Sequence, residues 1–210
     1  VMPSVSRQLV PSHVHSYGFR RHCNTLMISG IVRQLLYIAD VWGLPLIIGS
    51  QDVQTAFDEM RHDTISTSLA DRGLCAQLNA GLMRELTGLK AMMNLPGVGN
   101  TALFFYSKGG KQGGVETPTQ WIALLDWLLE PVILSWTVRG LGFKVDGKCI
   151  SHAVWADNVF VFATNIEMFQ TMVSDLTAAI HRGRLQWKAS SLEFMAAGTL
   201  KDSEFELVEV

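Results

Sequence analysis

His152-Ala-Val-Trp155-Ala156-Asp157-Asn158-Val-Phe160-Val-Phe162-Ala163 is the stretch on which the reading of the whole chain turns. Val159, Phe160, Val161 and Phe162 are β-branched or aromatic, so the run after Asn158 reads as a buried strand. Ala153, Val154 and Trp155 read the same way. Together they predict a hairpin with Asp157 and Asn158 at its tip. A carboxylate beside apolar strands is costly unless it is paired or binds a metal. A second stretch, Leu46-Ile-Ile-Gly-Ser-Gln-Asp52-Val-Gln-Thr-Ala-Phe57-Asp58, repeats the pattern. An apolar strand ends in Asp52, and a helical pattern follows. If the two strands are neighbours in one sheet, Asp52 and Asp157 meet. Two such carboxylates repel, and a divalent cation is the usual resolution. Taken singly, each Asp reads more simply as a turn or cap residue; the pair is what points to a site.

The chain has 210 residues and is 48% hydrophobic, enough for one large domain or a domain plus a lobe. No apolar run stands out at the roughly 18 to 20 residues of a membrane span, so the expectation is a soluble protein with no membrane partner. Cys23, Cys75 and Cys149 are far apart and odd in number. They fit neither a metal spacing nor a disulfide framework, which implies a reducing, intracellular compartment, nuclear or cytoplasmic. There is no signal-peptide pattern. The chain starts at Val1 and ends without a tail, so it reads as a piece of a longer polyprotein with other domains. The net charge of −2 argues against strong duplex binding, which is driven largely by phosphate neutralisation.

Three motifs carry a family resemblance. Asp52-x-x-x-Ala56-Phe57-Asp58 resembles the first palm motif of reverse transcriptases of the non-LTR retrotransposon type. Lys111-Gln112-Gly113-Gly114-Val-Glu-Thr117-Pro118 resembles that family's Gln-Gly-x-x-x-Ser/Thr-Pro motif. Trp155-Ala156-Asp157-Asn158 resembles its Tyr/Phe-Ala-Asp-Asp motif. Order and rough spacing agree, over about residues 17–195. Gly18-Phe19-Arg20 resembles the family's Gly-Phe-Arg segment, and a motif near Lys188 and Ser191 resembles its next strand. The resemblance implies an α+β fold: a polymerase palm, an antiparallel sheet with helices packed on one face, plus partial fingers, with no thumb visible. Its divisions would be a partial fingers segment over 1–43, a palm over 44–197, and a frayed or truncated segment over 198–210.

The periodicity of the rest agrees with such a fold. Met27, Ile31, Leu35, Ile38 and Trp42 recur at helical spacing, with Asn24 as cap and Gly43 and Pro45 as stop. Asp63 predicts an N-cap for a helix over 64–72. A helix over 75–93 carries Leu78, Leu82, Leu86, Leu89 and Met93 on one face. A short strand follows over 102–106. The loop Ser107-Lys-Gly-Gly-Lys-Gln-Gly-Gly is glycine-dense and basic, and reads either as a ligand-approach loop or as a flexible hairpin loop. Thr117 at N-cap and Pro118 at N1 predict the start of a helix whose core runs over 119–136. Asp146-Gly147 signals a hairpin. Met168, Met172, Leu176 and Ile180 mark a further helix. Residues 1–17 read as a loop in which His13 and His15 are solvated.

The resemblance implies RNA-directed DNA polymerisation: nucleotidyl transfer to a primer 3′-hydroxyl. Asp52 and Asp157, with the Val53 backbone carbonyl, would bind two Mg²⁺, or Mn²⁺, about 3.5–4 Å apart. Arg20 would neutralise triphosphate. Phe57 would lie under the incoming sugar and exclude a 2′-hydroxyl. Gln112, Gly113 and Gly114 would position nucleotide and template. The partners would be an RNA template, a DNA primer and deoxynucleoside triphosphates. Asn158 replaces the family's second Asp, and Ser191 stands where a lysine precedes the family's Thr/Ser. The competing reading is therefore a decayed remnant that folds and binds nucleic acid without polymerising. A third, an RNA-synthesising palm polymerase, is disfavoured by Phe57.

Overall fold

The computed structural model of the chain describes residues 9, 12–111 and 113–203. In chain order the elements are α1 (Thr25–Trp42), β1 (Leu46–Asp52), α2 (Ala56–Glu59), α3 (His62–Asp71) and α4 (Ala76–Thr87). Four two-residue strands follow: β2 (Lys90–Ala91), β3 (Asn94–Leu95), β4 (Gly99–Asn100) and β5 (Phe104–Phe105). Then come α5 (Thr117–Arg139), β6 (Phe143–Val145), β7 (Lys148–Ile150), β8 (His152–Trp155), β9 (Asn158–Ala163), α6 (Ile166–Arg182) and β10 (Glu193–Ala197). By contact the chain divides into two compact units. One holds the described residues of Ser12–Gln54 and Leu125–Val210, here the sheet unit. The other holds those of Val1–Pro11 and Thr55–Leu124, here the helical unit.

The sheet unit is built on four antiparallel strands in the order β10-β1-β9-β8. β1 and β9 are central and almost continuously apolar. Such strands must be covered on both sides. Leu46, Ile48, Phe162, Ala153 and Ala197 join Ile28, Leu35 and Ala39 of α1 in one core cluster. The other face meets α6, where the Phe169 ring lies so close to Gly49 that a Cβ there would come within 2.5 Å of its Cζ. Helices therefore pack on both faces, which corrects the expectation of one covered face. The reason is legible in Leu46-Ile-Ile: an unbroken apolar run leaves no face for water.

Helix ends follow local chemistry. α1 stops at Gly43, in the left-handed region at φ 60°, with its N–H on the Ala39 carbonyl, the usual glycine stop. Asn24 takes the N-cap position, but its side chain makes no capping bond. Asn165 caps α6 by accepting from Met168 N–H at 2.8 Å. Asp63 lies inside the first turn of α3 rather than at its N-cap, which is Arg61; its carboxylate accepts from Thr64 N–H at 2.8 Å and from Arg61. α4 ends at Thr87, six residues short of the expected 93, because Gly88 closes it and Lys90–Ala91 pair with Phe104–Phe105 instead. The β6–β7 hairpin turns on Asp146 and Gly147, both at positive φ, as a two-residue turn of the type favoured by Asp-Gly demands.

One expectation fails here for a tertiary reason. Residues 15–17 are not simply a loop. Tyr17 N–H donates to the Val154 carbonyl at 2.8 Å and Val154 N–H to the His15 carbonyl at 2.9 Å, so the segment pairs in parallel with β8. And α5 is, by length and a mean hydropathy of 1.4 over an 18-residue window, long and apolar enough to cross a membrane, although half of that window is buried in the protein. Leu125, Leu128, Leu129 and Trp136 are all buried, Asp126, Glu130 and Arg139 interrupt the run, and a core helix passes the same test. The three cysteines are free thiols.

Candidate functional site

The candidate site is assembled at one end of the sheet, where β1 finishes and β9 begins. The β1–β9 register pairs Asp52 with Asn158. Val53 N–H donates to the Asp157 carbonyl at 3.0 Å. Asp52 and Asp157, 105 positions apart in sequence, are thus brought to neighbouring strand ends, as the paired-strand reading predicts. The Asp157 carboxyl is held above its ordinary value, first by burial and then by the charge and hydrogen bonding of Asp52, with Lys188 acting the other way. The two carboxylates therefore share one partly dry location in which both being charged is unfavourable.

The hairpin tip differs from expectation in one respect. The turn residues are Ala156 and Asp157, and Asn158 is the first residue of β9, opposite Trp155 as well as Asp52. Its side-chain oxygen accepts from the Ser50 hydroxyl at 2.9 Å. Asn158 is thus tied to β1 rather than presented on a free tip. Ala156 carries the strain of the turn at φ 55°. Gly18 sits against that turn: a Cβ there would lie 2.8 Å from Ala156 Cα and 3.2 Å from the Trp155 carbonyl carbon, and closer still to Ala156 N. Glycine is required because the parallel pairing of residues 15–17 with β8 runs the backbone directly onto the hairpin tip.

A third segment closes on Asp52 from the C-terminal side. Lys188 N–H donates to the Asp52 carbonyl at 2.9 Å and Gln54 N–H to the Gln186 carbonyl at 2.9 Å. Ser191 Oγ accepts from Asp52 N–H at 3.0 Å and donates to the Lys188 carbonyl at 2.7 Å. The turn 188–191 is thereby stapled to the residue that carries the first carboxylate, and it brings the Lys188 charge to bear on Asp157. Lys188 lies three residues before Ser191, which stands at the place of the lysine in the motif that the segment resembles. The signal that could have recovered it is the Lys-x-x-Ser spacing itself, which lets the Ser191 hydroxyl close a turn onto the Lys188 carbonyl.

Arg20 donates through Nη2 to Asp126 of α5 at 2.8 Å. The Asp126 side chain is 1% exposed and that of Arg20 is 40% exposed, so the guanidinium lies at the surface end of a buried carboxylate.

The remaining expected site residues belong to the helical unit. Phe57 is half-buried and meets the Trp121 ring edge-on, centroids 6.0 Å apart. The glycine loop is largely spent on packing: a Cβ at Gly109 would meet the Asp58 carbonyl oxygen at 3.0 Å, and one at Gly110 would meet Met60 Cε at 2.9 Å. Gly114 lies against the Glu116 carboxylate, while Gly113, at φ 78°, has open space around it. Gln112 falls outside the described residues. α5 starts at Thr117, whose hydroxyl donates to the Lys111 carbonyl at 2.8 Å instead of capping helix N–H groups.

Among the described residues no cluster of three or more His, Cys, Asp or Glu side chains has metal-site geometry. What the site offers a cation is a pair of carboxylates plus backbone oxygen. That all-oxygen set is of the kind that suits hard ions such as Mg²⁺ rather than zinc or copper.

No family model and no curated protein sequence matches this chain. Solved structures do. Apo telomerase from Candida tropicalis is similar at a TM-score of 0.66 and 8% identity, over 92% of this chain and 35% of that one. The same enzyme truncated from its C-terminal domain gives 0.63 at 8% identity, over 87% and 36%. Telomerase from Candida albicans in complex with a TWJ fragment of telomeric RNA gives 0.64 at 10%, over 88% and 32%. The chain spans about a third of the length of these structures. It therefore has a reverse-transcriptase-like fold, of mixed helix and sheet, shared with telomerase, a polymerase related to reverse transcriptases.

Proposed function

We propose that the chain is the palm, with part of the fingers, of an RNA-directed DNA polymerase of non-LTR retroelement type. The observation that carries this is the meeting of Asp52 and Asp157 at adjacent strand ends of a reverse-transcriptase-like fold. In this reading Asp52, Asp157 and the Val53 carbonyl hold two Mg²⁺, for which Mn²⁺ can substitute. The bound ions would supply Lewis-acid activation of the primer 3′-hydroxyl and charge compensation for the triphosphate.

The protein's own part is positioning and electrostatics. The β1–β9 ladder fixes the distance between the carboxylates. Asn158, anchored to Ser50, lowers the negative charge of the site by one relative to an Asp-Asp pair. Arg20 supplies positive charge for phosphate, with Asp126 occupying one arm of its fork and orienting the rest. Lys188 adds a cation that favours the charged form of Asp157. Phe57, Gln112, Gly113 and Gly114 are assigned to nucleotide and template, with Phe57 selecting deoxynucleotides by bulk. RNA template and DNA primer are the macromolecular partners.

A second reading is a remnant that keeps the fold and binds nucleic acid without polymerising. The tie between Asn158 and Ser50 favours it, since a side chain engaged in strand-to-strand bonding is a structural substitute for a ligand. Primer extension on an RNA template separates the two. Wild type, Asp157→Asn and Asn158→Asp are run in Mg²⁺ and in Mn²⁺, after circular dichroism shows each to be folded. Extension by wild type that Asp157→Asn removes is the expected result. Extension only by Asn158→Asp, or by none of the three folded proteins, rejects polymerase activity for the native chain.

A further inference from the structure

Outside the carboxylate site, the helical unit carries a groove that no function has yet used. Its floor is the two-residue ladder in which Lys90 pairs with Phe105 and Ala91 with Phe104. Phe104, Phe105 and Tyr106 are consecutive and all exposed, at 39%, 62% and 46%. None of the three is buried in a core, and all three line the same groove. Phe104 and Tyr106, two apart and on the same side, approach with centroids 6.2 Å apart at 50°. Phe105 turns its ring to Lys90, whose ammonium sits 5.2 Å from the ring centroid, a cation–π arrangement. The glycine loop forms the opposite wall, and the space between measures about 620 Å³.

The charge of the groove selects the occupant. Lys90, Lys108 and Lys111 line it, against Asp58 among the lining residues; Lys108 is paired with Glu59 at 2.5 Å. Even with that pair neutralised, two lysines face one carboxylate. This excess sits in a chain whose overall charge is −2, so the positive charge is local. Flat exposed rings beside amines are what a single strand of nucleic acid requires: bases stack on the rings, and phosphates take the lysines. An apolar peptide would have no use for the lysines, and a free phosphate no use for the rings.

We infer that the groove between the Phe104–Tyr106 segment and the 107–111 loop is a binding site for single-stranded nucleic acid, held by base stacking on Phe105 and Tyr106 with phosphates on Lys90 and Lys111. The inference stands on the groove alone and does not need the carboxylate site to be active.

The test uses fluorescence anisotropy of labelled 12-nucleotide oligothymidylate and oligouridylate, with variants whose fold is checked by circular dichroism. Stacking on an aromatic is worth about 1–3 kcal/mol per base, so Phe105→Leu is expected to weaken binding by about fivefold or more while leaving the salt dependence unchanged. Lys111→Gln should instead flatten the plot of log affinity against log salt by about 0.7. Gly30→Ala, where an added Cβ meets nothing within 4 Å, should bind as wild type does. A thymidine-to-5-bromouridine oligonucleotide, irradiated on the protein, should crosslink within the 104–106 peptide. Unchanged affinity in the folded Phe105→Leu variant overturns the inference, as does a crosslink that maps elsewhere. So does inorganic polyphosphate competing as well as the oligonucleotide, which would mean charge alone. Loss of a protein ligand by Phe105→Leu with oligonucleotide binding intact would assign the groove to a protein partner and likewise overturn it.

Discussion

Gly18 offers the most direct test of how the site is held. Replacing it with alanine adds one carbon, but that carbon is aimed at the hairpin turn that carries Asp157. It would lie 2.8 Å from Ala156 Cα, and opening that to an ordinary contact of 3.4 Å requires a movement of about 0.6 Å, more at the Ala156 nitrogen. Neither side can yield by changing a rotamer, because both are backbone. The Gly18 segment is fastened by the Tyr17–Val154 and Val154–His15 bonds, and the turn is already strained at Ala156. Overpacking of this kind costs about 1–3 kcal/mol, a fall in melting temperature of about 2–12 °C for a chain of this size. The displaced residue adjoins Asp157, and misplacement by about 1 Å can cost about 100-fold in rate; a shift of about 0.6 Å should cost extension roughly tenfold, chiefly in kcat. The control is Gly30→Ala, on α1, where an added Cβ meets nothing within 4 Å and helix propensity predicts a gain of up to about 1 kcal/mol. Thermal melts of the two variants by circular dichroism, followed by primer extension, decide the matter. If Gly18→Ala melts as Gly30→Ala does, the hairpin tip is not braced by residue 18 and the steric argument is wrong.

Two further outcomes concern titration. His152 is buried, accepts from His15 N–H at 3.0 Å, and has its pKa pushed down to about 3, first by burial and then by His15. Below the unfolded value of about 6.5 the unfolded chain takes up a proton that the fold refuses, so stability falls as pH drops from about 6.5 towards 3, at up to about 1.4 kcal/mol per unit. His152→Gln should flatten that limb: between pH 7 and pH 5, wild type should lose about 2 kcal/mol more than the variant in urea unfolding, and equal losses would contradict the buried neutral ring. Asp157 is shifted the other way, upwards, so its charged form subtracts stability above the unfolded carboxylate range and the deficit shrinks as pH falls through the folded value. Without divalent cation, Asp157→Asn should therefore melt slightly higher than wild type at pH 7, by under about 1 kcal/mol given the solvent screening of a half-buried group. Added Mg²⁺ should stabilise wild type alone; a variant that gains as much from Mg²⁺ places the ion elsewhere.

The residues themselves fixed whatever depends on near neighbours along the chain. The apolar runs Leu46–Ile48 and Val159–Phe162, the 3.6-residue stripes of α4 and α6, the Gly43 stop and the Asp146-Gly147 turn are all written in local pattern, because burial of one face and backbone permissiveness are local properties. So was the hint that Asp52 and Asp157 belong together, since each ends an apolar strand. The buried face of α1 was not: it is Ile28, Leu35 and Ala39, while Met27 and Trp42 of the expected stripe are exposed. Only the tertiary structure decided that they meet: the β1–β9 register joins positions more than a hundred residues apart, and register is set by packing of both sheet faces rather than by any short window. The same cause moved Asn158 from the turn into the strand, converted residues 15–17 from loop to paired strand, and gave Gly18 its steric role. It also brought Lys188 to the site, because a turn closed by the Ser191 hydroxyl carries its backbone onto the Asp52 carbonyl.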